Sequence, residues 1–200
     1  MSNHSEPLKI LIAGTFREKK GIPYALAAVG RLHQAGVKIQ ATVIGDSARG
    51  LAMEEMEKQK ILSVVEQYEL SPVTRMLGYQ PYATLLAEAY EHHLFLSPSV
   101  EAANGDSEGG APVTIIDLMA TGMPVVSTTH CDIPQVVLHG QTGLLAEERN
   151  VDQLVAHLEW FLQYPEKWKA MAANGRHHVE QKFNVQLQAS ALVERYQALV

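Results

Sequence analysis

A single cysteine, Cys131, in a chain of 200 residues excludes an intramolecular disulfide framework and any zinc site built on several thiolates. No apolar run approaches the roughly 20 residues that cross a bilayer. The amino-terminal MSNHSEP is too polar for the core of a signal peptide. Positive charge is also scarce. Sixteen Lys and Arg face 22 Asp and Glu, a net charge of -6. The basic stripe that nucleic acid requires is missing, and no nucleic-acid partner is expected. G-x-G-x-x-G, Walker-loop, H-E-x-x-H and D-x-D patterns are absent. What remains is 46% apolar and 19% charged, a globular composition and not a disordered one. The expectation is a cytoplasmic protein.

Short apolar runs alternate with helical patterns. LKILIA (8–13) and IQATVI (39–44) read as buried strands that end at Gly14 and Gly45. Between them, residues 22–35 carry apolar groups at helical spacing and stop at Gly36. Strand, helix and strand within about forty residues suggest a βαβ unit with a parallel sheet. The same reasoning gives a helix over 49–69, a strand over 74–77 and a helix from Pro81 to about Tyr90. It then gives a strand over 93–97, a helix from Pro112 to Thr121, a strand over 125–127 and an edge strand over 143–145. Three closing helices follow over 151–162, 165–179 and 184–199. The last is amphipathic through Val185, Leu187, Leu192, Tyr196 and Leu199. The fold class is α/β: one Rossmann-like domain over residues 8–200, with a parallel sheet, flanking helices and a helical carboxyl end. Residues 1–7 read as a disordered or tag-like segment.

In open parallel sheets, ligands sit beyond the carboxyl ends of the strands. Three loops there have unusual content. Gly14-Thr15-Phe16-Arg17-Glu18-Lys19-Lys20-Gly21 sets three cations at a helix start, where free N–H groups and the dipole already favour anions. This suits a phosphate or diphosphate, or else is a solvated basic loop. Residues 101–117, EAANGDSEGGAPVTIID, place Gly109, Gly110 and Ala111 before Pro112, leaving backbone amides uncovered for a second side of a phosphate group. Glu108 stands where it could accept from hydroxyls. Asp117, an acid in the apolar helix VTIIDLMA, faces either the cleft or solvent. After the strand at 125, His130 and Cys131 are adjacent, but no orienting acid can be assigned. A buried inert thiol is expected. His92-His93 and His177-His178 are weak metal candidates, and Trp160 and Trp168 read as packing residues.

Taken together, GTFREKKG (14–21), VIGD (43–46), MLGYQPYATLLAEAY (76–90), FLSPS (95–99), SEGGAPVTIIDLMATGMPVVST (107–128), IPQVV (133–137) and HGQTGLL (139–145) carry a resemblance. In this order, the chain resembles the carboxyl-terminal, donor-binding domain of family 4-like retaining glycosyltransferases of the GT-B fold. Its flavour is that of bacterial polysaccharide and lipopolysaccharide transferases. The resemblance implies a nucleoside diphosphate sugar as donor, an acceptor hydroxyl on a saccharide or lipid-linked acceptor, and no cofactor or obligatory metal. It assigns Lys20 to the donor diphosphate and Glu108 to the sugar hydroxyls. Arg17 would replace the arginine that the family carries where this chain has Thr15. Gly14 and Thr15 fall in the donor loop, Gly78 and Tyr79 in the base-binding loop. Gly109, Gly110, Ala111, Pro112, Val113 and Thr114 fall at the diphosphate-facing helix start, and Asp117 at the ribose. Two departures stand out. The acidic pair is Glu108, eight residues, Asp117, where the family has seven residues between two glutamates, and Gln135 stands where many relatives carry Glu.

GT-B enzymes pair this domain with an amino-terminal acceptor domain, and nothing resembling one precedes Leu8. The isolated chain is therefore expected to be inactive. The full-length enzyme is expected to be cytoplasmic, with peripheral association at the inner face of the membrane. The alternatives are a non-catalytic nucleotide-sugar-binding or regulatory module, and part of a nucleotide-sugar epimerase of the same architecture. Replacing Lys20 or Asp117 is expected to leave the ligand-free melting temperature unchanged.

Overall fold

Along β1 (Leu8–Ala13), Leu8, Ile10 and Ile12 enter one apolar cluster while Leu11 enters another. That two-residue alternation marks a strand buried on both faces, and the other inner strands repeat it. In β4 (Leu94–Ser97), Leu94 and Leu96 face the first cluster and Phe95 the second. In β5 (Val125–Thr128), Val126 and Val125 divide in the same way. With β2 (Ile39–Ile44), β3 (Thr74–Met76) and β6 (Gly143–Ala146), they form one six-stranded, all-parallel sheet in the order β3-β2-β1-β4-β5-β6. Leu8 lies opposite Ile39 and Ile10 opposite Leu94, so β1 and β4 are the central neighbours where the strand order reverses.

The computed structural model describes residues 6–198. On one face of the sheet, α1 (Ile22–Gln34), α2 (Ala52–Gln67) and α6 (Val151–Gln163) cover the first cluster. On the other, α3 (Tyr82–Glu91), α4 (Val113–Ala120), α5 (Ile133–Val136) and α7 (Trp168–Lys182) contribute to the second. Trp160 and Trp168 pack against the first cluster, and the Trp168 indole N–H donates to the Phe161 carbonyl at 2.8 Å. Among the described residues, no helix is long and apolar enough to cross a membrane.

Three features differ from the sequence reading. Glu18–Lys20 forms a 3-10 turn and Ile133–Val136 a four-residue helix, both too short to show a period. The segment from 165 opens with a 3-10 turn over Pro165–Lys167 before α7. The final helix, α8 (Val185–Gln197), forms with Asn184 as N-cap, but it buries no residue. Val185, Leu187, Leu192 and Tyr196 are all more than half exposed. Leu199, counted in its apolar face, lies outside the described residues, as do residues 1–5 of the segment expected to be disordered or tag-like.

Candidate functional site

Backbone contacts that tolerate no side chain draw the strand ends together. The Gly45 N–H donates to the Gly78 carbonyl at 2.8 Å and the Gly14 N–H to the Ile44 carbonyl at 2.9 Å. A Cβ on Gly45, at φ +138°, would lie 1.8 Å from the Gly14 carbonyl oxygen. Gly21 has φ +63°, and a Cβ there would fall 1.9 Å from the Pro98 carbonyl oxygen. Close by, the Val100 N–H donates to the Lys19 carbonyl at 2.9 Å. The loop after β1 is thereby pressed onto the loop after β4, at the point where a doubly wound sheet binds its ligand.

This brings together two side chains 88 positions apart. Lys20 Nζ donates to both carboxylate oxygens of Glu108, at 3.0 and 2.9 Å, and Ser99 Oγ donates to Oε1 of the same group at 2.8 Å. The Glu108 side chain is only 6% exposed and that of Lys20 19%, so the pair is largely withdrawn from water. Lys19 Nζ donates to Asp106 Oδ1 and to the Ser107 carbonyl, both at 2.9 Å, and this bond holds the Asp106 carboxyl below its usual range.

Arg17 is bonded elsewhere. Its Nε donates to Glu54 Oε1 on α2 at 2.8 Å, which raises the guanidinium pKa. Glu54 is held low, first by the Ala48 N–H and then by Arg17. Arg17 and Glu54 line a cavity of about 440 Å³ together with Leu51, Met53, Ala102 and Asp106. Thr15 is half-buried, and its carbonyl accepts the Arg17 N–H at 2.7 Å.

The opposite wall is the entry to α4. Gly109 has φ +68°, Gly110 and Ala111 follow, and Pro112 occupies the N-cap without a side-chain cap. The first amides of the helix, those of Val113 and Thr114 among them, thus have no capping side chain. Val113 is exposed and Thr114 half-buried. Asp117 lies one turn on, half-buried, beside the Tyr82 hydroxyl. Burial, and then Asp117, push the pKa of that hydroxyl up. Tyr79, next to Gly78, is exposed.

The loop after β5 corrects one expectation. Cys131 is exposed, not buried, and adopts φ +47°. Its Sγ lies 3.1 Å from His130 Nε2, and His130 Nδ1 lies 2.7 Å from Glu148 Oε1. Glu148, in the loop after β6, is the orienting acid that the sequence does not reveal. It belongs to no motif, and its one signal is being an acid just beyond a strand's carboxyl end. The His130 Nε2 lone pair is already shared, because the Glu108 N–H donates to it at 3.2 Å. It is not a free base for the thiol. The histidine pairs are tied into the fold: His92 Nε2 lies 2.8 Å from Thr42 Oγ1, and His178 Nε2 lies 2.9 Å from the Gln135 carbonyl. Among the described residues, no group of three His, Cys, Asp or Glu side chains is arranged to hold a metal ion.

A family model described as glycosyl transferases group 1 matches residues 2–178. The amylovoran biosynthesis glycosyltransferase AmsK of Erwinia amylovora is 32% identical over 189 residues, covering 94% of this chain and 44% of that protein. The chain spans 42–46% of the length of three curated relatives that it matches. Among solved structures, Anabaena Alr3699/HepE in complex with UDP superposes with a TM-score of 0.83 at 18% identity, over 97% of this chain and 50% of that one. The carboxyl-terminal domain of the group 1 glycosyl transferase LpcC from Francisella tularensis gives a TM-score of 0.72 at 20% identity, over 92% of this chain and 90% of that one. Likeness at these identities shows the fold: this chain has the architecture of one half of a GT-B glycosyltransferase.

Proposed function

Because the chain belongs to the group 1 glycosyl transferases, we propose that it is the donor-binding domain of an enzyme that moves a sugar from a nucleoside diphosphate sugar to an acceptor hydroxyl, with retention of configuration. The Lys20–Glu108 contact carries this reading. It sets a cation for the diphosphate and a carboxylate for the sugar hydroxyls side by side, at the carboxyl edge of the sheet. An ammonium group has three N–H donors and Glu108 engages it through two contacts, so Lys20 can take a phosphate oxygen without first releasing its partner.

The amides at the start of α4 face the same diphosphate from the other side. Asp117, with two acceptor oxygens, holds the ribose hydroxyls, and the Gly78–Tyr79 loop receives the base. As the sugar leaves, charge builds on the departing diphosphate, and Lys20 with the α4 amides stabilises it. The 32% identity to the amylovoran biosynthesis glycosyltransferase favours a saccharide or lipid-linked acceptor, met by a further domain of a longer protein. Lys20 provides positive charge in place of a metal, so no divalent ion is required.

Calorimetric titration of the chain with UDP, UDP-glucose, GDP and GDP-mannose, each in chelator and in magnesium and with uridine and guanosine as the nucleoside comparison, tests this reading. The expected result is that a nucleoside diphosphate binds more tightly than its nucleoside, with or without metal. Failure of all four to bind, or binding only with the ion, would overturn it.

A further inference from the structure

The loop that carries Glu108 is fastened at both ends by one residue outside it. Glu148 Oε2 accepts the Glu101 N–H at 2.8 Å, where the loop leaves β4. Glu148 Oε1 lies 2.7 Å from His130 Nδ1, and His130 Nε2 accepts the Glu108 N–H at 3.2 Å, where the loop turns toward α4. A backbone amide can only donate, so Nε2 must be the bare nitrogen and Nδ1 must carry the proton. The carboxylate on the far side fixes the same tautomer. His130 is 3% exposed, and its ring is locked from both sides. Burial pushes the Glu148 carboxyl up, but the Glu101 N–H and His130 outweigh it and leave the pKa below its ordinary value. Arg149, in the left-handed region at φ +62°, adds a second tie by donating to the Glu101 carbonyl.

We propose that Glu148, acting through His130, is a positioning residue for Glu108: it clamps both ends of the 101–108 loop so that the Glu108 carboxylate meets the donor sugar. The proposal rests on the donor-site reading above. Without ligand, Glu108 is held by Lys20, by Ser99 and, through its amide, by His130. When Lys20 shares its charge with a diphosphate, its hold on Glu108 weakens and the Ser99 and His130 contacts carry more of the positioning. The clamp therefore matters most when a sugar is present. It also requires a carboxylate. Both partners of Glu148 are donors, and a glutamine would offer one acceptor oxygen and turn its NH₂ against the other donor.

The test uses E148Q, H130A and the double variant in the 200-residue chain. UDP, UDP-glucose, GDP and GDP-mannose serve as calorimetric probes. Each single variant should hold nucleoside diphosphate affinity within about twofold and lose about 5- to 10-fold for the matching nucleotide sugar, the worth of one well-placed hydrogen bond. The double variant should lose less than the product of the two single losses, because the two residues share the arm that reaches Glu108 while Glu148 holds Glu101 by itself.

Amide exchange supplies a readout that needs no ligand. H130A should release protection at the Glu108 N–H and leave Glu101 protected, whereas E148Q should weaken one or both. Histidine ¹⁵N shifts should report the Nδ1–H tautomer in the unsubstituted chain and its loss in E148Q. Equal losses for nucleotides and nucleotide sugars, or unchanged exchange at Glu101 and Glu108, would overturn the clamp. Failure of the unsubstituted chain to bind any probe would overturn the donor reading instead, with the exchange and tautomer data still deciding whether Glu148 holds the loop.

Discussion

Lys20 has a structural duty as well as the proposed ligand duty. From sequence it looks like an exposed cation on a loop, and its removal is expected to leave the ligand-free fold untouched. The structure argues otherwise. Glu108 is 6% exposed, and Lys20 is its counter-charge. Lys20→Ala leaves a buried carboxylate with only the Ser99 hydroxyl to answer it, a situation that costs far more than the pair itself contributes. We expect Lys20→Ala to destabilise the ligand-free chain by about 1–3 kcal/mol, less than a fully buried broken pair costs because Lys20 keeps some solvent contact. The combined Lys20→Met and Glu108→Gln variant, which removes both charges, should recover most of that loss. Chemical denaturation of the three proteins measures it, and a Lys20→Ala variant as stable as its parent would show that the pair is solvated. This partnership is hidden in the sequence because the two residues lie 88 positions apart and meet through the backbone contact of Gly21 with Pro98. Glu148 is hidden for the same reason. Lys20 and Glu108 are legible as candidates because each sits in a loop beyond a strand, and Asp117 because it is an acid in an apolar helix, whereas the braces behind them carry no pattern.

At the scale of elements, legibility follows burial. The strands stand out because both of their faces are covered, and residues such as Leu94, Phe95 and Leu96 make an uninterrupted apolar run. Helices α1 and α6 stand out because each shows one apolar stripe to the sheet. A period cannot say whether a stripe has a partner, and α8 shows this. Its apolar residues repeat at helical spacing, yet it buries none of them. Its local signals suffice to form a helix: the Asn184 side chain accepts from the Gln186 and Leu187 N–H groups. Because stability comes from apolar area removed from water, ending the chain after Phe183 should change the melting temperature by no more than about 2 °C, on the scale of a few tenths of a kcal/mol in a domain of this size. It should also leave nucleotide binding intact. Thermal unfolding of the truncated and complete chains checks this, and a large fall would mean that α8 packs on α7 or a neighbouring surface in solution.

At the scale of the whole molecule, the parallel sheet directs every strand's carboxyl end to one edge, and the candidate residues occupy that edge. On the proposed reading, the molecule presents a single wall: phosphate contacts at Lys20 and the α4 amides, a sugar-facing acid at Glu108, a ribose-facing acid at Asp117. Transfer needs more than this wall. The acceptor oxygen must be held about 3–3.5 Å from the anomeric carbon, and such positioning supplies much of the rate of a bimolecular reaction. Curated relatives of the chain are more than twice its length, so they have ample chain for a second wall. We therefore expect the 200-residue chain to bind nucleotide sugars without turning them over, and a longer protein that contains it to transfer sugar. In that longer protein Lys20→Ala should lower kcat by about 10- to 1000-fold with a smaller change in KM, because a cation at the leaving diphosphate acts mainly on charge that develops in the transition state. A product assay across nucleotide sugars and saccharide acceptors separates the outcomes. Sustained multiple turnover by the 200-residue chain alone would show that one wall suffices. A Lys20→Ala effect confined to KM would place the lysine in ground-state binding and leave leaving-group stabilisation to the amides of α4.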